Sequence, residues 1–340
     1  MGDVLKAAFV GFRHMHMFDI HAHLKKREDV RIVAICEEDS QIRARLAAEG
    51  KIAVSHASFQ DMLGNVDFDL LVVGEVFTRR GGLILSALEA GKHVLSDKPI
   101  CTQLRQLEEI RALSERHSLV VGAALDLRDS GAFLRARDLI RSGTIGALRA
   151  VNFSGQHPLL LDSRPGWYFE EGNHGGTIND IAIHAVDILG WITGQGFAEV
   201  TAARSWNAGP AAAHPGFHNA AQVMLVMDGG CGVIGDLSYI SPDGFGYSLP
   251  QYWRFNFWGD RGMIESGLNL SKVRLYRSDS DKAEQIDPLP DRSGGYLEDL
   301  LETIRSPEGN PGAWLFSATE VCLKAQEAAN RGIFAVRLKG

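Results

Sequence analysis

The sequence predicts an α/β protein of two parts: an N-terminal doubly wound parallel sheet of Rossmann type, then an α+β domain built on a large, mostly antiparallel sheet. Three observations predict it. Over the first third of the chain, short β-branched runs alternate with amphipathic helical stretches, the pattern of parallel strands joined by crossover helices. After residue 125 the strand-like runs lengthen and alternate in polarity, with Gly, Asp and Pro between them, as antiparallel strands do. At 340 residues the chain is long for one domain and suits two. We place the boundary near residue 125, giving domains over 1–125 and 126–340.

The elements follow in order. Strands are expected at 5–11, 30–36, 70–74, 93–95 and 119–123, each an apolar run short enough for a sheet covered on both faces. Between them, 41–49, 80–89 and 104–116 carry apolar residues at three- and four-residue spacing with charges opposite, and Gly50 and Gly91 stand where helices end. A helix at 131–141 leads to a strand near 148–154. In the second part, strands are expected at 221–227, 231–239 and 252–258, and helices at 176–192, 297–305 and 318–330.

Composition narrows the function. Hydrophobic residues make up 45% and charged residues 23%, which fits a folded globular chain, and 35 basic against 42 acidic residues give a net charge of −7. With no dense basic cluster, nucleic acid is not an expected partner. Cys36, Cys101, Cys231 and Cys322 are too far apart for Cys-x-x-Cys chemistry and read as reduced core thiols. The longest uncharged stretch, 205–227, contains Pro210 and Pro215, so no membrane-spanning helix is expected. The N-terminus runs straight into a strand without the features of a secretory signal, and a cytoplasmic location is expected.

The first strand is followed by Gly11, Phe12, Arg13, His14, Met15 and His16, where a dinucleotide-binding loop would carry Gly-x-Gly-x-x-Gly. Gly11 retains the tight turn that points a helix N-terminus at a pyrophosphate. Arg13 replaces the glycine of close backbone approach, and His16 the one of close helix–strand packing. The second strand ends at Glu37, 21 residues beyond His16, where an acid accepts the ribose hydroxyls and repels a 2′-phosphate; this favours NAD over NADP. The alternative for the run Glu37-Glu38-Asp39 is capping of the next helix.

His14, His16, His21 and His23 raise the question of a metal. His14 and His21, like His16 and His23, are seven residues apart on one helix face, but the only carboxylate at ligand spacing is Asp19. The helix must also give Met17, Ile20 and Leu24 to the core. We expect no metal here.

Two further segments carry a resemblance. Residues 90–99 read Ala-Gly-Lys-His-Val-Leu-Ser-Asp-Lys-Pro, ending in Asp97, Lys98 and Pro99, and residues 175–187 run from Gly175-Gly176 through Asp180 and His184 to Asp187. With the turn from Trp258 to Glu265, these segments resemble the Gfo/Idh/MocA family of oxidoreductases, which includes glucose–fructose oxidoreductase and inositol dehydrogenase. The resemblance implies an NAD(P)-dependent dehydrogenase acting on the hydroxyl carbon of a sugar, inositol or related polyol. It assigns the cofactor to Gly11, Phe12, Arg13, His14, Glu37 and Lys98, with Phe77 beside the nicotinamide. Glu75, Asp97 and the segment 122–127 depart from the family pattern.

In that reading His184 accepts the hydroxyl proton and Asp180, four residues earlier on one helix face, orients its imidazole. Lys98 steadies the developing alkoxide, and Pro99 is expected to follow a cis bond. The polar and aromatic segment 154–176 is expected to bind the polyhydroxy substrate, with His157, Trp167 and Tyr168 joining Asp180 and His184. The near-continuous apolar run at 221–227, with the family habit of pairing through this sheet, points to a homodimer or homotetramer. Two alternatives stay open: a nucleotide-binding sensor that has lost turnover, and NAD-assisted elimination or hydrolysis of a sugar.

Overall fold

The computed structural model describes residues 4–306 and 312–338. The chain forms two compact units, Met1–Ala124 with Leu297–Phe316, and Leu125–Tyr296 with Ser317–Gly340. The chain passes from the first unit to the second between Ala124 and Leu125. The second part is not contiguous, however, because a later segment returns to the first unit. Ion pairs hold it there: Arg27 meets Glu298, and Arg305 meets Asp29. Such long-range pairs leave no periodic trace in a sequence.

The first unit contains β1 (Leu5–Val10), α1 (His16–Lys25), β2 (Val30–Cys36), α2 (Ser40–Glu49), α3 (Phe59–Asn65), β3 (Leu70–Val73), α4 (Phe77–Glu89), β4 (His93–Ser96), α5 (Leu104–His117) and β5 (Val121–Ala123). The strands are parallel, in the order β2-β1-β3-β4-β5. Ala7–Val10 and Leu70–Val73 are fully buried, which explains runs with no polar alternation. Strand addition reverses between β1 and β3, so the ligand-holding crevice of such a sheet lies at the carboxyl ends of those two strands. Helix α2 is capped by Asp39, whose carboxylate accepts Gln41 N and Ile42 N; the capping role considered for the acidic run falls to this residue. The short helix α3 was not anticipated. It starts at Ser58, whose hydroxyl caps Asp61 N.

The second unit contains α6 (Gly131–Arg141), β6 (Leu148–Pro158), a π-helical turn over Ile178–Ala182 that runs into α7 (Ile183–Thr193), and β7 (Phe197–Trp206), β8 (Ala220–Met227), β9 (Gly232–Ser241), β10 (Arg254–Gly259), β11 (Gly262–Gly267), β12 (Val273–Arg277), β13 (Glu284–Ile286) and β14 (Val336–Arg337). Helices α8 (Gly295–Arg305) and α9 (Ala313–Arg331) complete the described chain. The nine-stranded sheet runs β13-β12-β11-β10-β6-β9-β8-β7-β14. All its pairings are antiparallel except β6 with β9. Strand β7 was not anticipated, since its Ala-rich sequence lacks clear alternation.

One face of this sheet is packed. Phe153, Phe255 and Phe257 stack along it, with ring centroids 5.4 and 6.0 Å apart, each full burial contributing about 1.5–3 kcal/mol. The other face carries Met224, Ile234, Trp258 and Tyr276, all exposed, with Met224 opposite Ile234 across β8 and β9. All four cysteines are free and buried. Among the described residues, no helix is long and apolar enough to cross a membrane.

Candidate active site

In the first unit the site grows from the turn after β1. Gly11 has φ +80°, and a Cβ there would lie 2.7 Å from Glu75 N, so glycine is required both for the turn and for the approach of the β3 end. The close helix–strand packing that a glycine at position 16 would allow is supplied elsewhere: a Cβ on Gly74 would meet the Met17 side chain at 2.2 Å. Helix α1 therefore sits against the end of β3 although His16 has a large side chain.

Glu37 is fully buried. Its oxygens accept Phe12 N at 2.8 Å and Asp39 N at 2.9 Å, which leaves acceptor capacity on an ionised carboxylate. Burial raises its carboxyl above the usual range, against the pull of these amides and of Arg13. The Arg13 guanidinium stands among three acids: Nε is 3.3 Å from Glu37 and 3.2 Å from Glu75, and Nη1 is 3.2 Å from Asp39.

The turn after β4 is built around Arg80, a fully buried cation on α4. Its Nε donates to Glu75 O at 2.8 Å, Nη1 to Lys98 O at 2.6 Å, and Nη2 to Asp97 Oδ2 at 2.9 Å. The other Asp97 oxygen accepts Lys98 N at 2.8 Å, and the Lys98–Pro99 peptide is cis. His14 and His16 also face the Asp97 carboxylate. Burial alone would raise this carboxyl, but Arg80 and the two histidines hold it well below the usual carboxylate range. Lys98 is thereby fixed from both sides of its backbone, with its side chain largely buried.

Phe77 departs from expectation. Its ring is fully buried, with the Arg80 guanidinium 4.5 Å from its centroid and the His14 ring edge-on at 6.3 Å. A ring so covered belongs to the packing of the β3–α4 turn, not to a surface on which a nicotinamide stacks.

In the second unit, the segment with Asp180 and His184 is buried along nearly its whole length, so its polar groups require internal partners. The i, i+4 spacing suggested that Asp180 orients His184. The Asp180 carboxylate accepts the Tyr239 hydroxyl from β9 and faces His174 Nε2 at 3.4 Å. The π-turn over Ile178–Ala182 takes Asp180 out of regular α-helical register with His184. The carboxylate beside His184 Nδ1 is that of Asp126, at 3.9 Å. Asp187 forms a two-point pair with Arg128.

Aromatic rings join the remaining residues. His157 lies 5.9 Å from Tyr239 and 5.5 Å from Trp253, and His184 lies 5.6 Å from the same tryptophan. Tyr168 lies against Trp167 and His174 at tilted angles, with centroids 4.3 and 5.1 Å apart, and the Arg164 guanidinium covers both Tyr168 and Tyr239. The second unit thus gathers His157, Trp167, Tyr168, Asp180 and His184 into one cluster. Sequence reasoning missed the residues that join them, Tyr239, Trp253 and Asp126, and missed Arg80 in the first unit. Only a buried Arg near a Lys-Pro turn could have hinted at the last.

Comparison with known proteins agrees with this geometry. Residues 5–125 match the model described as the oxidoreductase family, NAD-binding Rossmann fold, and residues 133–265 match the GFO/IDH/MocA C-terminal domain. The chain is 30% identical over 173 residues to 1,5-anhydro-D-fructose reductase of Ensifer adhaerens, covering 50% of this chain and 51% of that protein. The match thus spans about half of that relative's length. It is 25% identical over 307 residues to inositol 2-dehydrogenase 1 of Saccharopolyspora erythraea, covering 87% of this chain and 86% of the relative. An oxidoreductase from Agrobacterium radiobacter, solved in complex with NAD+, L-tartaric acid and magnesium, shares the fold with a TM-score of 0.81 at 19% identity, over 98% of both chains. With its two units matched by the two family models, the chain belongs to the Gfo/Idh/MocA family of oxidoreductases, and its first unit is the family's NAD-binding Rossmann domain.

Proposed function

We propose that this chain is an NAD(P)-dependent oxidoreductase that moves a hydride between the nicotinamide and a hydroxyl-bearing carbon of a sugar, inositol or related polyol. The observation that carries the reading is the buried Lys98, held by Arg80 and Asp97 at the end of β4 in the NAD-binding unit. Relatives named as sugar and inositol oxidoreductases support the substrate class. The residues present fit the cofactor: Gly11 makes the turn that only a glycine fits, and Glu37 offers a buried carboxylate at the end of β2.

Bound NAD supplies the hydride acceptor. His184 takes the proton of the reacting hydroxyl, and Lys98 donates to the same oxygen and stabilises its developing charge. Asp180, steadied by Tyr239 and His174, holds a neighbouring substrate hydroxyl. His157, Trp167 and Tyr168 complete a polar and aromatic lining suited to a polyol ring. The four buried thiols fit a reducing, cytoplasmic setting, and the open sheet face fits a homodimer or homotetramer.

The test is a panel of sugars, inositols and sugar acids with NAD and NADP, followed through the absorbance of the reduced nicotinamide. Lys98→Ala should lower kcat by roughly two to four orders of magnitude with NAD affinity nearly unchanged. His184→Ala should remove the rising limb of the pH–rate profile, and Asp180→Asn should reduce turnover less. Well-folded variants with wild-type turnover would refute the catalytic assignment. NAD binding with no turnover on any substrate would favour the sensor.

A further inference from the structure

His14 and His16, from the segment joining β1 to α1, converge on an acid from a different part of the chain. His14 Nδ1 lies 3.0 Å from Asp97 Oδ2, and His16 Nδ1 lies 2.9 Å from Asp97 Oδ1. One ligand atom from each of the three residues falls within 4.8 Å of the others. The two rings stand perpendicular, with centroids 4.4 Å apart. At ligand spacing the sequence offered these histidines only Asp19, whereas the carboxylate they meet comes from the end of β4, 81 residues beyond His16.

His14 Nδ1 is buried and faces Asp97 Oδ2 at 3.0 Å. With His14 Nδ1 on one Asp97 oxygen and His16 Nδ1 on the other, a single cation could take a ligand atom from each of the three residues.

We propose that His14, His16 and Asp97 bind a divalent cation of the zinc class. Two imidazoles and one carboxylate are the donors that Zn²⁺ and Co²⁺ take, whereas Ca²⁺ and Mg²⁺ select oxygen. Three protein ligands leave a coordination position for water or for an oxygen of a bound small molecule. Arg80 and Lys98 N, which already hold the two Asp97 oxygens, become the outer partners that orient the carboxylate. Because Arg80 shares that carboxylate, the ion is held reversibly and is removed by a strong chelator.

The experiment uses the 340-residue chain, stripped with chelator and titrated with Co²⁺ while its visible absorption is followed, then competed with Zn²⁺. One equivalent of Co²⁺ is expected to bind and to be displaced by Zn²⁺. His14→Ala and His16→Ala should each weaken Co²⁺ binding by about 100-fold or more, while His117→Ala, which removes an exposed imidazole, should leave it unchanged. Circular dichroism and melting temperature report whether each variant is folded, and His14→Gln replaces His14→Ala if the smaller side chain unfolds the loop. No saturable Co²⁺ binding by the wild-type chain, or binding that survives in both folded histidine variants, would overturn the proposal. Neither NAD nor substrate is present, so that failure would leave the oxidoreductase reading intact.

Discussion

Arg13 and Glu75 compensate each other: Arg13 Nε lies 3.2 Å from Glu75 Oε1, joining the loop after β1 to the end of β3. Each is a departure from the family pattern when read alone. An arginine in place of a loop glycine adds a bulky cation beside buried Glu37, and a glutamate at the end of β3 adds a buried anion. Together they satisfy each other, with Arg79 supplying a second cation to Glu75 at 3.3 Å. The two side chains thus balance each other's charge between the loop after β1 and the end of β3.

The same cluster sets cofactor choice. Four acids, Glu37, Glu38, Asp39 and Glu75, meet three cations, Arg13, Arg43 and Arg79, so the surroundings of the expected ribose site remain net negative and disfavour a 2′-phosphate. NAD should bind at least tenfold tighter than NADP, a difference of about 1.4 kcal/mol or more. Arg13→Ala should widen the ratio, because it removes the cation that touches Glu37, Asp39 and Glu75 together. Calorimetric titration of both cofactors decides the matter. Equal affinities, or a ratio that narrows in Arg13→Ala, would place the 2′-phosphate on Arg13 and take Glu37 out of the ribose site.

Tyr239 should matter to turnover although no motif marks it. Its hydroxyl donates to the Asp180 carboxylate, and losing one hydrogen bond to a charged partner costs about 1.5 kcal/mol, a little over tenfold in rate. Tyr239→Phe should therefore lower kcat by about tenfold, far less than Lys98→Ala, with NAD affinity unchanged. A Tyr239→Phe enzyme with full kcat would show that Asp180 needs no such support.

The parts of this molecule that were legible in the sequence are those governed by local periodicity. The parallel strands β1 to β5 and the helix α6 announce themselves because apolar runs and three-to-four spacing are decided within a few residues. The i, i+4 rule that joined Asp180 to His184 holds for a regular α-helix, and the π-turn over Ile178–Ala182 and the Tyr239 hydroxyl on Asp180 lie outside what that rule can read. Tyr239 on Asp180, Arg80 on Asp97 and Asp97 beside His14 and His16 connect residues 17 to 83 positions apart. Chain topology decides such contacts, and no spacing rule reports them.

The open face of the nine-stranded sheet should associate. Met224, Ile234 and Trp258 are roughly half exposed on a sheet whose other face is already packed, and such an apolar patch on a monomer costs solubility. Light scattering at micromolar concentration should give the mass of a dimer or tetramer. The pair Ile234→Asp and Trp258→Arg should shift it toward the monomer without changing the circular dichroism spectrum. A monomeric wild-type chain would end this expectation.

His93 should make stability depend on pH. Val120 N donates to its Nδ1 at 3.0 Å, which requires that nitrogen to be unprotonated, and burial lowers the His93 pKa against the opposing attraction of Asp69. In the unfolded chain a histidine titrates near about 6.5. Below that value and above the lowered folded pKa, the unfolded state binds more protons, so stability rises with pH across the window. The contribution is complete above about pH 6.5 and is lost progressively as the pH falls beneath it. His21 is lowered in the same direction, by burial and then by Lys25, so His93 accounts for part of the slope. The melting temperature should fall between about pH 7.5 and about pH 5.5, and His93→Asn, whose side-chain oxygen can accept from Val120 N but does not titrate there, should show a shallower fall. A slope identical in the variant and the wild type would mean that His93 keeps the same proton affinity in both states, against the lowering that its burial implies.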